Sequence, residues 1–262
     1  ANYFLELAIP KIITYGTESP EEGRKGNPDI FAKKIILEPT GSLFTVITSE
    51  TQVAIDLNLP GKFNIYNALA ALCVASELKI NLGLAKKALK QIDNVPGRME
   101  RVDMGQSFAV IIDYAHTPDA LEKIYQTLIM SSRGRIISVF GACGDRDRSK
   151  RPIMGALAGR YANFVIITNE DPYTEDPVKI IEEVASGVPR GATKANPKTS
   201  GKNFFKTLDR REAIKKAIDL AQKDDIVIIT GKGDEDCIVE GTQKIPWSDR
   251  KVCKELLLKR RG

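Results

Sequence analysis

Five short stretches carry the residue types that act on charged small molecules. The first is Gly141-Ala142-Cys143-Gly144-Asp145-Arg146-Asp147, which runs into Lys150-Arg151-Pro152. It leaves an apolar run and enters a helical one, so its backbone N–H groups can face an anion. Arginine grips carboxylate or phosphate through two parallel hydrogen bonds. Taken alone, the Gly-x-x-Gly spacing reads equally well as a structural turn. The second stretch, Asp113-Tyr114-Ala115-His116, holds the single histidine of the chain. That histidine is read either as one that orders its turn or as a neighbour, with Asp113, of a nucleotide phosphate. In Gly231-Lys232-Gly233-Asp234-Glu235 the glycines permit close backbone approach and the carboxylates suit an ammonium group. Glu170-Asp171-Pro172 supplies another acidic pair; singly, both acidic pairs are better read as solvated turns. Last, the side-chain amides of Asn64 and Asn67 present donor and acceptor together, as an adenine edge requires. Helix capping is the competing reading for Asn64. His-x-x-x-His, Gly-x-Ser-x-Gly and zinc-ligand spacings are absent from the sequence.

Stepping along the chain shows what must position these residues. Asn2–Ala8 reads as a helix tail feeding a short strand over Lys11–Tyr15. Apolar, β-rich runs follow at Lys33–Leu37, Leu43–Thr48 and Val53–Leu59, with Pro39-Thr40-Gly41 as a turn, which predicts antiparallel strands. Helical spacing then predicts helices over Asn64–Leu78 and Leu82–Ile92. Asn94-Val95-Pro96-Gly97 breaks both periodicities and marks a domain boundary, giving domains 1–96 and 97–262. Beyond it strands and helices alternate. Strands fall at Ala109–Ile112, Arg135–Phe140, Phe164–Thr168 and Ile226–Thr230. Helices fall at Pro118–Met130, with Thr117 as cap, at Pro152–Tyr161, Asp176–Ser186 and Arg210–Gln222. A hairpin around Glu240-Gly241 and a closing helix over Ser248–Lys259 complete the chain. Such alternation demands a mainly parallel sheet covered on both faces. Ligands of such sheets lie at the carboxyl ends of the strands, where four of the five stretches fall.

Composition narrows the class. In 262 residues, 42% hydrophobic and 28% charged residues describe a soluble globular protein. No apolar run approaches the roughly 18–20 residues that cross a bilayer, and the first residues lack the features of a secretory signal. Four cysteines without a Cys-x-x-Cys pair point to reduced thiols in a cytoplasm. The net charge of +5 with only 6% aromatic residues favours a solvated basic surface or anionic small molecules over nucleic acid. No membrane partner is expected.

Five motifs occur in one order: Asn64-Ile65-Tyr66-Asn67-Ala68-Leu69-Ala70-Ala71, Gly97-Arg98-Met99-Glu100, Asp113 to Asp119, Gly144-Asp145-Arg146-Asp147 with Lys150-Arg151-Pro152, and Gly231-Lys232-Gly233. Their order and spacing, from about Lys62 to Trp247, resemble the Mur ligases, specifically the UDP-N-acetylmuramoyl-tripeptide synthetases. The resemblance implies an α/β chain, with a remnant of a central ATPase domain (antiparallel strands plus helices) followed by a Rossmann-like C-terminal domain. It implies an ATP-dependent, amide-forming ligase of peptidoglycan synthesis, with Mg2+ in the complete enzyme. The substrate would be UDP-N-acetylmuramoyl-L-alanyl-D-glutamate, whose carboxylate is phosphorylated and then attacked by the amine of a diamino acid. By position, Asn64 and Asn67 would contact adenine, and Arg98, Asp113 and His116 would face ATP. Arg146, Glu170, Asp171, Pro172, Tyr173, Gly231 and Glu235 would hold the amino acid.

Three departures qualify this expectation. The Asp-Asn-Pro-Arg loop of diaminopimelate-adding members is here Glu170-Asp171-Pro172-Tyr173, without its arginine. Gly-Lys-Gly-His-Glu is here Gly231-Lys232-Gly233-Asp234-Glu235. Together they imply a strongly acidic pocket without a distal cation, so lysine or ornithine is expected over meso-diaminopimelate, with Arg148 or Arg151 as the residues that could restore a cation. Third, no Gly-x-x-x-x-Gly-Lys-Ser/Thr loop occurs, so the γ-phosphate lacks its cradle. The chain is therefore expected to be part of a longer ligase, or a truncated relative, and inactive by itself. A folylpolyglutamate synthetase-like ligase and a non-catalytic amino-acid- or nucleotide-binding module are the alternatives.

Overall fold

A computed structural model describes residues 11–17, 28–38, 41–194 and 196–261. The chain divides into two compact units, one ending at Asn94 and the other beginning at Val95.

In the first unit, strands β1 (Tyr15–Thr17), β2 (Ile30–Glu38), β3 (Gly41–Ile47) and β4 (Gln52–Leu57) form one sheet in that order. β2, β3 and β4 pair antiparallel, as the turn-separated runs predict, but β1 joins β2 in parallel. Alternation along β3 buries Phe44 and Val46 and turns Leu43 outward, the period of a half-buried strand. Helices α1 (Lys62–Glu77) and α2 (Leu82–Lys90) follow. Ile65, Leu69 and Leu72 of α1 share one core with Phe44, Val46, Ile55 and Leu57. The helix expected over Asn2–Ala8 lies outside the described residues, and the strand expected over Lys11–Tyr15 begins instead at Tyr15.

The second unit holds β5 (Glu100–Arg101), β6 (Ala109–Asp113), α3 (Pro118–Ser131), β7 (Ile136–Phe140), α4 (Lys150–Tyr161) and β8 (Phe164–Ile167). There follow α5 (Pro177–Ala185), α6 (Val188–Gly191), β9 (Phe204–Lys206), α7 (Arg210–Leu220), β10 (Ile226–Thr230), β11 (Cys237–Glu240), β12 (Gln243–Pro246) and α8 (Asp249–Arg261). One sheet runs β5-β6-β10-β7-β8-β9. All neighbours from β6 to β9 are parallel, and β5 alone runs antiparallel. The fold is thus α/β, as the alternation predicts. Strand β10 shows why its sequence is apolar throughout. Ile226 and Ile228 join the core under α3, α4 and α5, while Val227 and Ile229 join the core under α7 and α8.

The topology sets the site. After β6 the chain winds outward through β7, β8 and β9, then returns to insert β10 between β6 and β7. The strand order reverses there, and the loops after β6, β7, β8 and β10 open at one sheet edge.

Close packing of α4 on α5 and α6 requires glycines at their contacts. A Cβ at Gly155 would lie 2.0 Å from the Val184 carbonyl oxygen, and one at Gly159 would lie 2.2 Å from that of Val188. A Cβ at Gly187 would meet the Pro152 carbonyl oxygen at 1.8 Å. Gly159→Ala should therefore force the helices apart and lower the unfolding free energy by about 1–3 kcal/mol, the usual cost of overpacking. Urea denaturation followed by circular dichroism checks this; an unchanged midpoint would remove the packing argument.

Candidate active site

A cleft of about 370 Å3 lies at the carboxyl edge of the second unit's sheet. Each wall comes from one strand-end loop. Tyr114, His116 and Thr117 follow β6; Cys143, Arg146, Asp147 and Lys150 follow β7; Glu170, Asp171 and Tyr173 follow β8; Gly231 and Glu235 follow β10.

The floor is a buried carboxyl group. Glu170 is 1% exposed; its Oε1 accepts a hydrogen bond from the Cys143 thiol at 3.0 Å. Its Oε2 is buried without a partner. Burial pushes the Glu170 carboxyl above its usual range, against the opposing charge of Arg210. Burial and Glu170 together push the Cys143 thiol far up as well. Glu170 also explains Gly231, whose φ is 107°. A Cβ there would lie 2.1 Å from Glu170 Oε2.

Beside the floor lies an ion pair. Lys232 Nζ, on a side chain 1% exposed, donates to both oxygens of Asp171 at 2.8 Å and pairs with Glu235 at 2.5 Å. Asp171 Oδ1 also accepts the Val239 N–H at 2.8 Å. The expected strongly acidic pocket is therefore corrected: Lys232 offsets Asp171 and Glu235, burial favours neutral Glu170, and Asp234 does not line the cleft. At the mouth, the guanidinium of Arg146 lies over the Tyr173 ring, 5.0 Å from its centre.

Arg148 and Arg151 do not fill the place of the missing arginine. Arg151 is fully buried and grips Glu175 and Glu183, and Arg148 pairs with Glu183. The bidentate carboxylate binding read from Lys150-Arg151 is real, but its carboxylate is the protein's own Glu175.

The expected ATP-facing residues divide. His116 lines the cleft, its Nδ1 3.0 Å from the Tyr114 carbonyl oxygen, and Lys150 Nζ donates to the His116 carbonyl at 2.9 Å. Arg98 stacks on the Tyr114 ring at 4.8 Å. Asp113 is buried, and its two oxygens accept the N–H groups of Met99 and Ala115, each at 2.7 Å. Burial pushes its carboxyl above the usual range. In the first unit Asn64 is buried; its amide donates to the Pro60 carbonyl at 2.8 Å and accepts from Asn67 at 3.3 Å. It is not the cap of α1, which is Gly61. Asn67 is exposed. Pro172 does not line the cleft; its carbonyl would lie 1.9 Å from a Cβ at Gly144, so it packs the two loops together.

The model of the "Mur ligase, glutamate ligase domain" matches residues 97–233, more than half of the chain, and that of the "Mur ligase middle domain" matches residues 2–75. The chain belongs to the Mur ligase family. Among its relatives, a UDP-N-acetylmuramoyl-L-alanyl-D-glutamate–2,6-diaminopimelate ligase of Syntrophomonas wolfei is 44% identical over 90% of this chain and 46% of its own. A ligase of the same name from Bacillus cereus is 39% identical over 97% of this chain and 48% of its own. A solved structure with that name superposes with a TM-score of 0.60 at 31% identity, covering 97% of this chain and 49% of the other. A Mycobacterium tuberculosis folylpolyglutamate synthase shares the fold at 19% identity, with a TM-score of 0.62 over 78% of this chain and 45% of its own. The Mur ligase chain thus spans about half the length of the curated relatives it matches.

Sequence reasoning missed Tyr114, Thr117, Cys143, Asp147 and Lys150, which line the cleft, and Lys232, which pairs with its Asp171 and Glu235. Lys232 stood in a quoted motif, but nothing local shows that a lysine between two glycines turns inward to meet Asp171.

Glu170 generates a pH prediction. A carboxyl whose folded pKa is raised contributes most at low pH, and that contribution falls as pH rises through the folded value. Glu170→Gln, which does not titrate, should gain thermal stability relative to the parent as pH rises from 4 to 8. A melting-temperature difference that stays constant or shrinks over this range would refute the buried-acid assignment.

Proposed function

We propose that this chain supplies the amino-acid-binding part of an ATP-dependent ligase that extends UDP-N-acetylmuramoyl-L-alanyl-D-glutamate with a diamino acid. The observation that carries the proposal is the cleft, which Arg146 lines together with Glu170, Asp171 and Glu235. A guanidinium recognises an α-carboxylate with two directed bonds. Glu170 Oε2, buried without a partner, can accept a hydrogen bond from the amine whose nitrogen attacks an acyl phosphate. The chain's residues would bind and orient that amine, which is where positioning yields rate.

On this reading the first unit is part of the central ATPase domain and the second is the C-terminal domain. His116, Arg98 and Lys150 face the nucleotide, and Asp113 acts through the backbone of the 113–117 loop. Asn67 presents its amide to adenine, with Asn64 holding it in place. ATP and Mg2+ are the cofactors of the complete ligase on this reading; among the described residues no group of three or more His, Cys, Asp or Glu side chains is disposed to hold a metal ion. No helix among the described residues is long and apolar enough to cross a membrane; with four free cysteines, this fits a cytoplasmic enzyme.

The charge inventory favours lysine or ornithine as the diamino acid. Tyr173 carries no charge, Arg148 and Arg151 are held by Glu175 and Glu183, and Arg146 is the arginine that lines the cleft. The second reading, meso-diaminopimelate, is favoured by the names of the relatives, which are 2,6-diaminopimelate ligases.

Because these 262 residues hold no Gly-x-x-x-x-Gly-Lys-Ser/Thr loop, the test measures binding. In NMR titrations of the chain, L-lysine, L-ornithine and meso-diaminopimelate should shift resonances of Arg146 and Tyr173, the first two at lower concentration. Arg146→Ala should weaken each by roughly 10-fold or more, from a charge-assisted bond of about 1.5–3 kcal/mol. Tyr173→Arg should shift preference toward meso-diaminopimelate. Tightest binding of meso-diaminopimelate by the parent chain overturns the lysine reading, and no binding of any of the three overturns the amino-acid site itself.

A further inference from the structure

Arg151 does not line the cleft, yet its guanidinium makes four hydrogen bonds. It sits in the first turn of α4, fully buried. Nη1 donates to Glu175 at 2.9 Å and to Glu183 at 2.7 Å; Nη2 donates to Glu175 at 2.7 Å and to the Cys143 carbonyl at 2.9 Å. Neither Arg151 nor Glu175 lines the cleft.

From Glu175 the network continues to the mouth. Glu175 Oε1 accepts the N–H of Asp145 at 2.7 Å. The Asp145 carboxylate accepts from the Thr174 hydroxyl at 2.8 Å and from the Thr174 N–H at 3.2 Å. Gly144 N–H donates to the Asp171 carbonyl at 2.7 Å. Two loops, 143–147 and 171–175, are thereby laced together, and each has a non-glycine residue in left-handed backbone: Asp145 at φ 51° and Tyr173 at φ 47°. Such residues persist only where their surroundings hold them. The side chains presented by these two turns are Arg146 and Tyr173, which stack.

We propose that Arg151 is a positioning residue: through Glu175 it fixes the Asp145 turn and so holds Arg146 against Tyr173 at the mouth of the cleft. Arg151 touches no ligand. It sets where Arg146, the one guanidinium that lines the cleft among the described residues, can stand, and hence at what distance from the Glu170 floor a carboxylate can bind. The lock holds at neutral pH, since the hydrogen bonds of Arg151 keep the Glu175 carboxyl down at about 2. The inference rests on the proposed function only in taking Arg146 as the carboxylate-binding group.

The test needs no ligand and no turnover, so its failure is distinguishable from failure of that reading. Ring current from Tyr173 should shift the side-chain protons of Arg146 upfield in the NMR spectrum of the chain, with Tyr173→Leu setting the zero. Arg151→Met and Glu175→Ala should each reduce the shift to half or less in folded protein. Glu175→Gln, whose amide oxygen still accepts the Asp145 N–H, should recover most of it. A residue that only stabilised the fold would lower the melting temperature and leave the shift intact. Should Arg151→Met or Glu175→Ala fail to fold, Thr174→Val, at an exposed position, decides the matter by the same reduction. A full shift in any folded variant of Arg151, or in folded Glu175→Ala or Thr174→Val, overturns the proposal. So does the absence of a Tyr173-dependent shift in the parent.

Discussion

The cleft depends on one buried guanidinium. Arg210, at the start of α7, forms a two-bond pair with Asp249 at the start of α8, at 2.7 and 2.8 Å. Its remaining bonds go to the Thr230 carbonyl at 2.9 Å and the Asn169 carbonyl at 3.1 Å. Those carbonyls end β10 and extend β8, the strands that deliver Gly231 and Glu170 to the site. Trp247 Nε1 donates to Asp249 as well, at 2.8 Å. Both charged side chains are almost wholly buried, and removing one partner of such a pair costs about 3–5 kcal/mol because the other charge is stranded. The pair therefore couples the register of two loop origins to the packing of two helices.

On that footing the cleft is a problem of charge balance. Four carboxylates converge from loops after β7, β8 and β10, and like charges at close range cannot all remain ionised in a poorly solvated site. They are managed differently. Asp171 and Glu235 share Lys232. Glu170, without a cation in contact, is pushed toward its neutral form by burial. Asp147 stays in solvent, and the hydrogen bonds of Ser149 hold its carboxyl below the usual range. A ligand amine thus meets one floor oxygen that has no partner within the protein, Glu170 Oε2, and Gly231 leaves the room for that group to stand there.

Ion pairs of two kinds serve this unit. Arg210–Asp249 and Arg151–Glu175 are interior ties that shape loops. Pairs such as Lys123–Asp119 and Lys215–Asp219 lie on exposed helix faces and contribute little individually. The distinction matters for function, because loop position is set by the buried ties and survives salt that would screen the surface ones.

The sequence by itself determined the repeating pattern of strand and helix, the cap at Thr117, and the order of the loops that carry the motifs. These are local properties: apolar periodicity and capping chemistry depend on residues within a turn or two of one another. It also placed His116, Arg146, Glu170, Tyr173 and Glu235 at strand ends. What only the tertiary structure decided was which groups meet. Insertion of β10 between β6 and β7 brings Lys232 to Asp171, 61 residues away, and so reverses the reading of the pocket as strongly acidic. Burial of Arg151 turns a candidate ligand-binding arginine into a tie between the protein's own loops, and the fold turns the amide of Asn64 inward to Pro60. Charge compensation and burial are properties of contacts between distant segments, and a sequence states the charges without stating which of them will be neighbours.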